Sequence, residues 1–101
     1  MNIDVSVAGD VLTMRLSGRF DFTTRDGFMA RMDETVARAP AGDIRVDLSG
    51  LDYIDSSGLG MLLMLRDKAR KAERGVLLVG PRGQVREVLA GAQFERLFTM
   101  H

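Results

Sequence analysis

The chain has 101 residues, 46% of them hydrophobic and 28% charged, with fourteen Lys and Arg balancing fourteen Asp and Glu. That length suits one domain, expected over 1–101, and a zero formal net charge removes the electrostatic footprint of a general nucleic-acid binder. Cysteine is absent, which excludes disulfides and thiol chemistry; no apolar run approaches the ~20 residues needed to span a bilayer; and the start, Met1 to Val5, lacks the basic and apolar regions of a signal peptide, so a cytoplasmic protein with no membrane or nucleic-acid partner is expected.

Ile3, Val5 and Val7 alternate with polar residues, and so do Leu12, Met14 and Leu16 beyond the turn at Gly9-Asp10. Period two marks half-buried strands, and the short connection makes the pair an antiparallel hairpin at the edge of a sheet. Gly18 ends the second strand, and Arg19 to Thr24 forms a loop. Thr23 or Thr24 is placed to cap a helix whose buried face is Phe28, Met32, Val36 and Ala39, stopped by Pro40 with Gly42 behind it. Ile44, Val46 and Leu48 make a third strand, Ser49-Gly50 a turn, and Leu51 to Ile54 the approach to Asp55-Ser56-Ser57.

The longest helix is predicted from about Ser57 to Glu73. Its first half is apolar nearly all round. Its second half, Arg66 to Arg74, reads as a solvated face whose basic residues complement the helix dipole. Gly75 terminates it. Val76 to Val79 is an unbroken apolar run, the pattern of a strand buried on both faces. After the turn at Gly80-Pro81-Arg82-Gly83, a short helix is expected from Gln84 to Ala90. Phe94, Leu97 and Phe98 form a last apolar patch, a short helix followed by an extended tail. The order β-β-α-β-α-β-α requires an α/β fold: a mixed, mostly parallel sheet of 4–5 strands with an N-terminal edge hairpin, packed against helices through right-handed crossovers.

The stretch Tyr53-Ile54-Asp55-Ser56-Ser57-Gly58-Leu59-Gly60 organises the chain. Asp and Ser side chains accept hydrogen bonds from the first N–H groups of a helix, so the three polar residues read as a strand-to-helix loop at a donor-rich, partly positive helix end. Two functions fit that position: a charge switch written on one of the two hydroxyls, or capping alone. The fingerprints of a phosphate-binding enzyme, G-x-x-x-x-G-K-[ST] and G-x-G-x-x-G, are missing. Neither serine lies in a G-x-S-x-G elbow, and the one histidine, His101, is the last residue, which leaves a serine nucleophile without a base. No His/Cys cluster offers a zinc site. Catalytic residues, cofactor and metal are therefore not expected. A small nucleotide-binding enzyme would have to show saturable nucleotide binding.

Val46-Asp47-Leu48 followed by Asp55-Ser56-Ser57-Gly58-Leu59-Gly60 resembles the signature of the STAS domain, and more narrowly that of bacterial anti-sigma factor antagonists of the partner-switching type. Gly18-Arg19-Phe20-Asp21 resembles the family's Gly-x-φ-Asp loop, and the order of elements matches along nearly the whole chain. The resemblance implies a protein-interaction module that regulates transcription or a related output. It binds an anti-sigma factor/serine kinase of the histidine-kinase ATPase fold while unphosphorylated and is released on phosphorylation. A PP2C-type phosphatase resets it. Carried over by position, Ser56 is the phosphoacceptor, with Ser57 as the second choice. Asp21, Asp55, Ser56, Ser57, Gly58, Met61 and Met64 are expected to meet the partner. The two methionines share a helical face with Ser57 and Lys68, a spacing that core packing of both explains somewhat better than a partner surface. Phe20 and Phe22 are open to either role, core or exposed anchor. An alternative within the family is a constitutive, unphosphorylated subunit of a larger complex such as a lipid-transport ATPase.

Overall fold

A computed structural model describes residues 1–40 and 42–101. Strands β1 (Asn2–Ala8) and β2 (Val11–Phe20) form the expected hairpin. A 3₁₀ turn (Phe22–Thr24) leads into α1 (Arg25–Arg38). Then come β3 (Ile44–Ile54), α2 (Ser56–Lys71), β4 (Val76–Val79) and α3 (Gly83–Gly91). A second 3₁₀ turn (Phe94–Arg96) precedes β5 (Thr99–Met100). The strands lie in the order β1-β2-β3-β4-β5. The first pair is antiparallel and the other three are parallel. This is the mixed α/β sheet with an N-terminal edge hairpin that the order of elements required.

Alternation fixes which face is covered. Leu12, Met14 and Leu16 of β2, Ile44, Val46 and Leu48 of β3 and Leu78 of β4 are buried, and they pack with Phe28 and Met32 of α1 and Met61, Leu62 and Leu65 of α2. Of the residues between them on the strands, Arg15 and Arg45 are exposed and Thr13 and Asp47 half-buried. The helices thus cover one face and the other is open. Leu77 and Val79 fall on that open face and are only half-buried, so β4 is buried on one side, not on both as its unbroken apolar run suggested. The final segment is tied back to α2: Arg66 donates from Nε to the carbonyl of Leu97 at 2.7 Å.

Two boundaries differ from those expected, for one reason. The turn assigned to Ser49-Gly50 is strand: β3 runs through it. Arg15 pairs with Asp47, Ser17 with Gly50, and Arg19 with Tyr53, so β3 carries an extra residue in two places. Each is a bulge that resets the alternation. Buried residues therefore fall at Ile44, Val46, Leu48, Leu51 and Ile54, with two spacings of three. Gly50 fits because a Cβ there would stand 3.0 Å from the Leu16 carbonyl oxygen. Likewise Gly18 does not end β2. It sits inside the strand at φ +93, a conformation open to glycine, and β2 continues to Phe20.

α1 holds one unsatisfied group. Thr35 is 1% exposed, and among the described residues its hydroxyl has no hydrogen-bond partner. An unpaired buried hydroxyl costs about 1–3 kcal/mol. Thr35→Val keeps the shape and removes the hydroxyl. Urea unfolding should show it more stable than the parent by about 1 kcal/mol.

Candidate functional site

The site lies where β2 and β3 end and α2 begins. Phe20 and Ile54 are paired at the ends of the two strands. One residue on, the Asp55 amide donates to the Phe20 carbonyl at 3.2 Å, which joins the loop after β2 to the start of α2. Asp55 is extended (φ −115, ψ −173), and its Oδ1 accepts from the Gly58 amide at 3.0 Å. It is thus the N-cap of α2, and Ser56, Ser57 and Gly58 are the first three helical residues. The helix begins one residue before the predicted Ser57 and ends at Lys71, because Glu73 turns left-handed (φ 61).

Because the Asp55 carboxylate does the capping, the serines are spared it. Among the described residues neither the Ser56 nor the Ser57 side chain takes part in a hydrogen bond; Ser56 is exposed and Ser57 half-buried. Gly58 is buried. A Cβ there would lie 2.6 Å from Ile54 Cγ1 and 2.7 Å from the Phe20 carbonyl oxygen. Its part is to let α2 close on the ends of both strands, and it offers a partner no surface.

The loop after β2 is ordered by Asp21. Its Oδ1 accepts from the Thr23 amide at 3.1 Å and from the Thr23 hydroxyl at 2.5 Å, and its backbone carbonyl accepts from the Thr24 hydroxyl at 2.7 Å. Asp21 therefore caps the 3₁₀ turn, while Thr24, at the N-cap of α1, makes no side-chain cap. The Thr23 hydroxyl, chiefly, holds the Asp21 carboxyl below its ordinary 3.8; burial opposes, and the Thr23 amide and the Arg19 charge add to the depression. Phe20 is fully buried with its ring tilted at 46° against Phe28, the centroids 4.9 Å apart, whereas Phe22 is 70% exposed.

Of the methionines predicted to meet a partner, Met61 is 1% exposed and belongs to the core. At i+4 from Ser57 it points at the sheet. Met64 is 38% exposed and lines a shallow groove between α1 and α2 with Met29, Met32, Asp33, Lys68 and Lys71. Lys68 closes an ion pair with Asp33 across that groove.

Two residues outside the predicted set complete the site. Gln84, in the first turn of α3, accepts from the Ile54 amide at 3.0 Å and donates to the Ile54 carbonyl at 2.9 Å. β4 has already ended at Val79, and this side chain stands in for the missing strand. Arg19, opposite Tyr53 in the β2–β3 register, lies 4.1 Å over the Tyr53 ring. A long-range side-chain-to-backbone pairing such as Gln84–Ile54 leaves no trace in periodicity. The Arg19–Tyr53 pair follows only once the bulges set the register.

The STAS domain family matches residues 2–101, and the chain belongs to it. It is 42% identical over 93 residues to a STAS-domain containing protein of Pseudomonas aeruginosa, a match covering 92% of this chain and 90% of that one. It is 38% identical over 63 residues to an anti-sigma F factor antagonist of Paenibacillus polymyxa, covering 62% of this chain and 54% of that one. The fold is that of the anti-sigma factor antagonist SpoIIAA, solved unphosphorylated (TM-score 0.80, 19% identity, 99% of this chain and 88% of that one). The phosphorylated form matches with TM-score 0.72 and 18% identity, over 99% of this chain and 91% of that one.

The two glycines at the head of α2 should respond oppositely to a methyl group. Gly58→Ala should cost about 1–3 kcal/mol through overpacking. Gly60→Ala, with nothing within 4 Å of its Cβ, should be neutral or stabilising by up to about 1 kcal/mol through helix propensity; thermal unfolding of the pair reads both. Asp21 generates a pH prediction. Its folded-state pKa is depressed, so its contribution to stability is present above the ordinary 3.8 and is lost as pH falls through the lower folded value. Asp21→Asn should flatten that acid limb in a stability–pH profile and leave the neutral-to-alkaline limb unchanged.

Proposed function

We propose that this chain is an anti-sigma factor antagonist of the partner-switching type. With Ser56 unmodified it binds an anti-sigma factor that is also a serine kinase of the histidine-kinase ATPase fold. Phosphorylation of Ser56 releases it, and a PP2C-type phosphatase resets it. The protein acts in the cytoplasm as a regulator, with no catalytic group of its own.

The observation that carries this reading is the division of labour between Asp55 and Ser56. The carboxylate caps α2, so the adjacent hydroxyl is exposed and has no structural task. The kinship with an anti-sigma F factor antagonist and the fold shared with SpoIIAA, known in a phosphorylated form, point the same way. Around Ser56 the reading assigns partner contact to Asp21, Asp55, Ser57 and Met64. Met61 and Gly58 support the surface from beneath.

Charge alone can then work the switch. A phosphate adds about −1.5 to −2 charges at neutral pH. The first turn of a helix tolerates an anion, so the fold survives. A partner surface shaped for a neutral hydroxyl would have to bury a dianion close to Asp21 and Asp55. Desolvating it without a matching cation costs several kcal/mol, set against the ~8 kcal/mol of a micromolar complex.

Phosphopeptide mapping of the protein recovered from its own cells, with phosphatases blocked, tests the site. Phosphate is expected on Ser56 and none on a Ser56→Ala variant. Phosphate on Ser57 would move the site and keep the switch. Its absence under all growth conditions would replace the switch with a constitutive subunit. Ser56→Asp should melt within a few degrees of the parent yet bind the kinase-fold partner at least about tenfold more weakly, a loss of about 1.4 kcal/mol. A Ser56→Asp variant that unfolds would defeat the local-charge mechanism.

A further inference from the structure

α2 holds two glycines near its start, and folding asks for only one of them. Gly58 is walled in by Ile54 and the Phe20 carbonyl. Gly60 is not: among the described residues nothing lies within 4 Å of a Cβ placed there. It is the fifth residue of a 16-residue helix, an interior position where glycine is the least favourable residue after proline. The chain alone would be served as well or better by alanine. The other helical glycines with open space around them stand at different kinds of position. Gly83 and Gly91 are the ends of α3, and Gly27 sits in the first turn of α1. A glycine that internal packing does not require suits the close approach of a group from outside.

Helical spacing puts Gly60 beside the acceptor serine. Ser56, Leu59, Gly60 and Leu63 stand at i, i+3, i+4 and i+7, four neighbours that bound one hole on the helix surface. Ser56 is exposed, Leu59 is half-buried against the core, and Leu63 is 37% exposed. One corner of the hole is therefore a hydroxyl and two are apolar. The side chain missing at Gly60 deepens it. None of the four residues is charged, whereas the corresponding hole at Gly27 is bounded by Ala30, Arg31 and Glu34.

We infer that the partner of the unmodified protein seats an apolar side chain in this hole, with Leu59 and Leu63 as its walls and Gly60 setting how deeply it enters. The inference rests on the reading that an anti-sigma factor docks around Ser56. It gives the chemistry of the opposite surface: a residue of leucine, isoleucine or methionine size, presented one helical turn from the serine. Side chains so placed have Cβ atoms about 5–6 Å apart. A phosphate on Ser56 would then stand at the rim of an apolar contact and meet carbon where it needs a cation. Release follows from the cost of stripping water from the dianion, and the hole offers nothing to neutralise it.

Gly60→Ala separates recognition from folding, because it fills the hole and leaves the helix intact. The immobilised parent protein is exposed to lysate of its own cells, and the kinase-fold protein that it retains is purified and titrated by calorimetry against each variant. Gly60→Ala should melt at or above the parent temperature yet bind at least about tenfold more weakly. Leu63→Ala, which removes a wall, should weaken binding by about tenfold or more while melting close to the parent. Gly27→Ala should bind like the parent. Parent-like binding by Gly60→Ala or Leu63→Ala, or an equal loss in Gly27→Ala, would overturn the hole; if Ser56→Asp still binds weakly, the charge switch stands without it. The reverse pattern, with Ser56→Asp binding like the parent and Gly60→Ala weakened, would keep the hole and remove the switch. A parent protein that retains no such partner would overturn both.

Discussion

Three chain segments meet at the hydrogen bond from the Asp55 amide to the Phe20 carbonyl, and the geometry of the site depends on it. Without this bond the loop after β2 and the first turn of α2 would be independent neighbours. With it, the Asp21 turn, the Asp55 cap and the exposed Ser56 hydroxyl share one rigid frame. Gly58 permits the contact by keeping a methyl group out of the space between the Phe20 carbonyl and Ile54. Gln84 secures the other side, holding both backbone groups of Ile54 where no further strand is available. A backbone polar group left unpaired in that position would cost as much as a lost hydrogen bond. The frame is built from backbone groups and from the Asp21, Asp55 and Gln84 side chains that hold them, which leaves the Ser56 side chain at its surface for recognition.

The bulges of β3 have a related purpose. A strand with strict alternation from Ile44 to Ile54 would direct every even-numbered residue to the core, and neither Leu51 nor a paired Arg19 and Tyr53 would follow. Two extra residues shift the phase twice. Leu51 and Ile54 reach the core, while Tyr53 comes to stand opposite Arg19 on the outer side. Bulges increase local twist and re-aim side chains. In this chain they turn the end of the sheet into the platform under Arg19.

Much of this was legible from residue pattern. The hairpin, both long helices and the parallel β3–β4 pair followed from period two and period 3.6. The Asp-Ser-Ser loop at a helix start followed from cap chemistry. Where the pattern misled, tertiary contact had overruled a local rule. Ser49-Gly50 looked like a turn because serine and glycine favour turns and the alternation broke there; a bulge produces the same signature. Leu77 and Val79 looked doubly buried because an apolar run does not say how many faces are covered. Met61 and Met64 lay on one helical stripe, and spacing did not say that packing buries the first and leaves the second exposed. Spacing alone could not choose between Asp55 and the serines as the cap. The Asp55–Gly58 bond makes that choice, and so frees Ser56.

The open face of the sheet has a consequence for how such a module can diversify. Thr13, Arg15 and Arg45 project where no helix packs, so exchanging them alters surface potential without disturbing the packed interior. The core-facing positions on the same strands have no such latitude. A chain of balanced overall charge can in this way acquire a local field on one side, tuned residue by residue, while the far end of the sheet keeps its geometry. Encounter rates between proteins respond to such fields over about a Debye length, ~8–10 Å at physiological salt. Related modules sharing one cell could thus be sorted among their partners during approach, before any atom of the contact surface has touched.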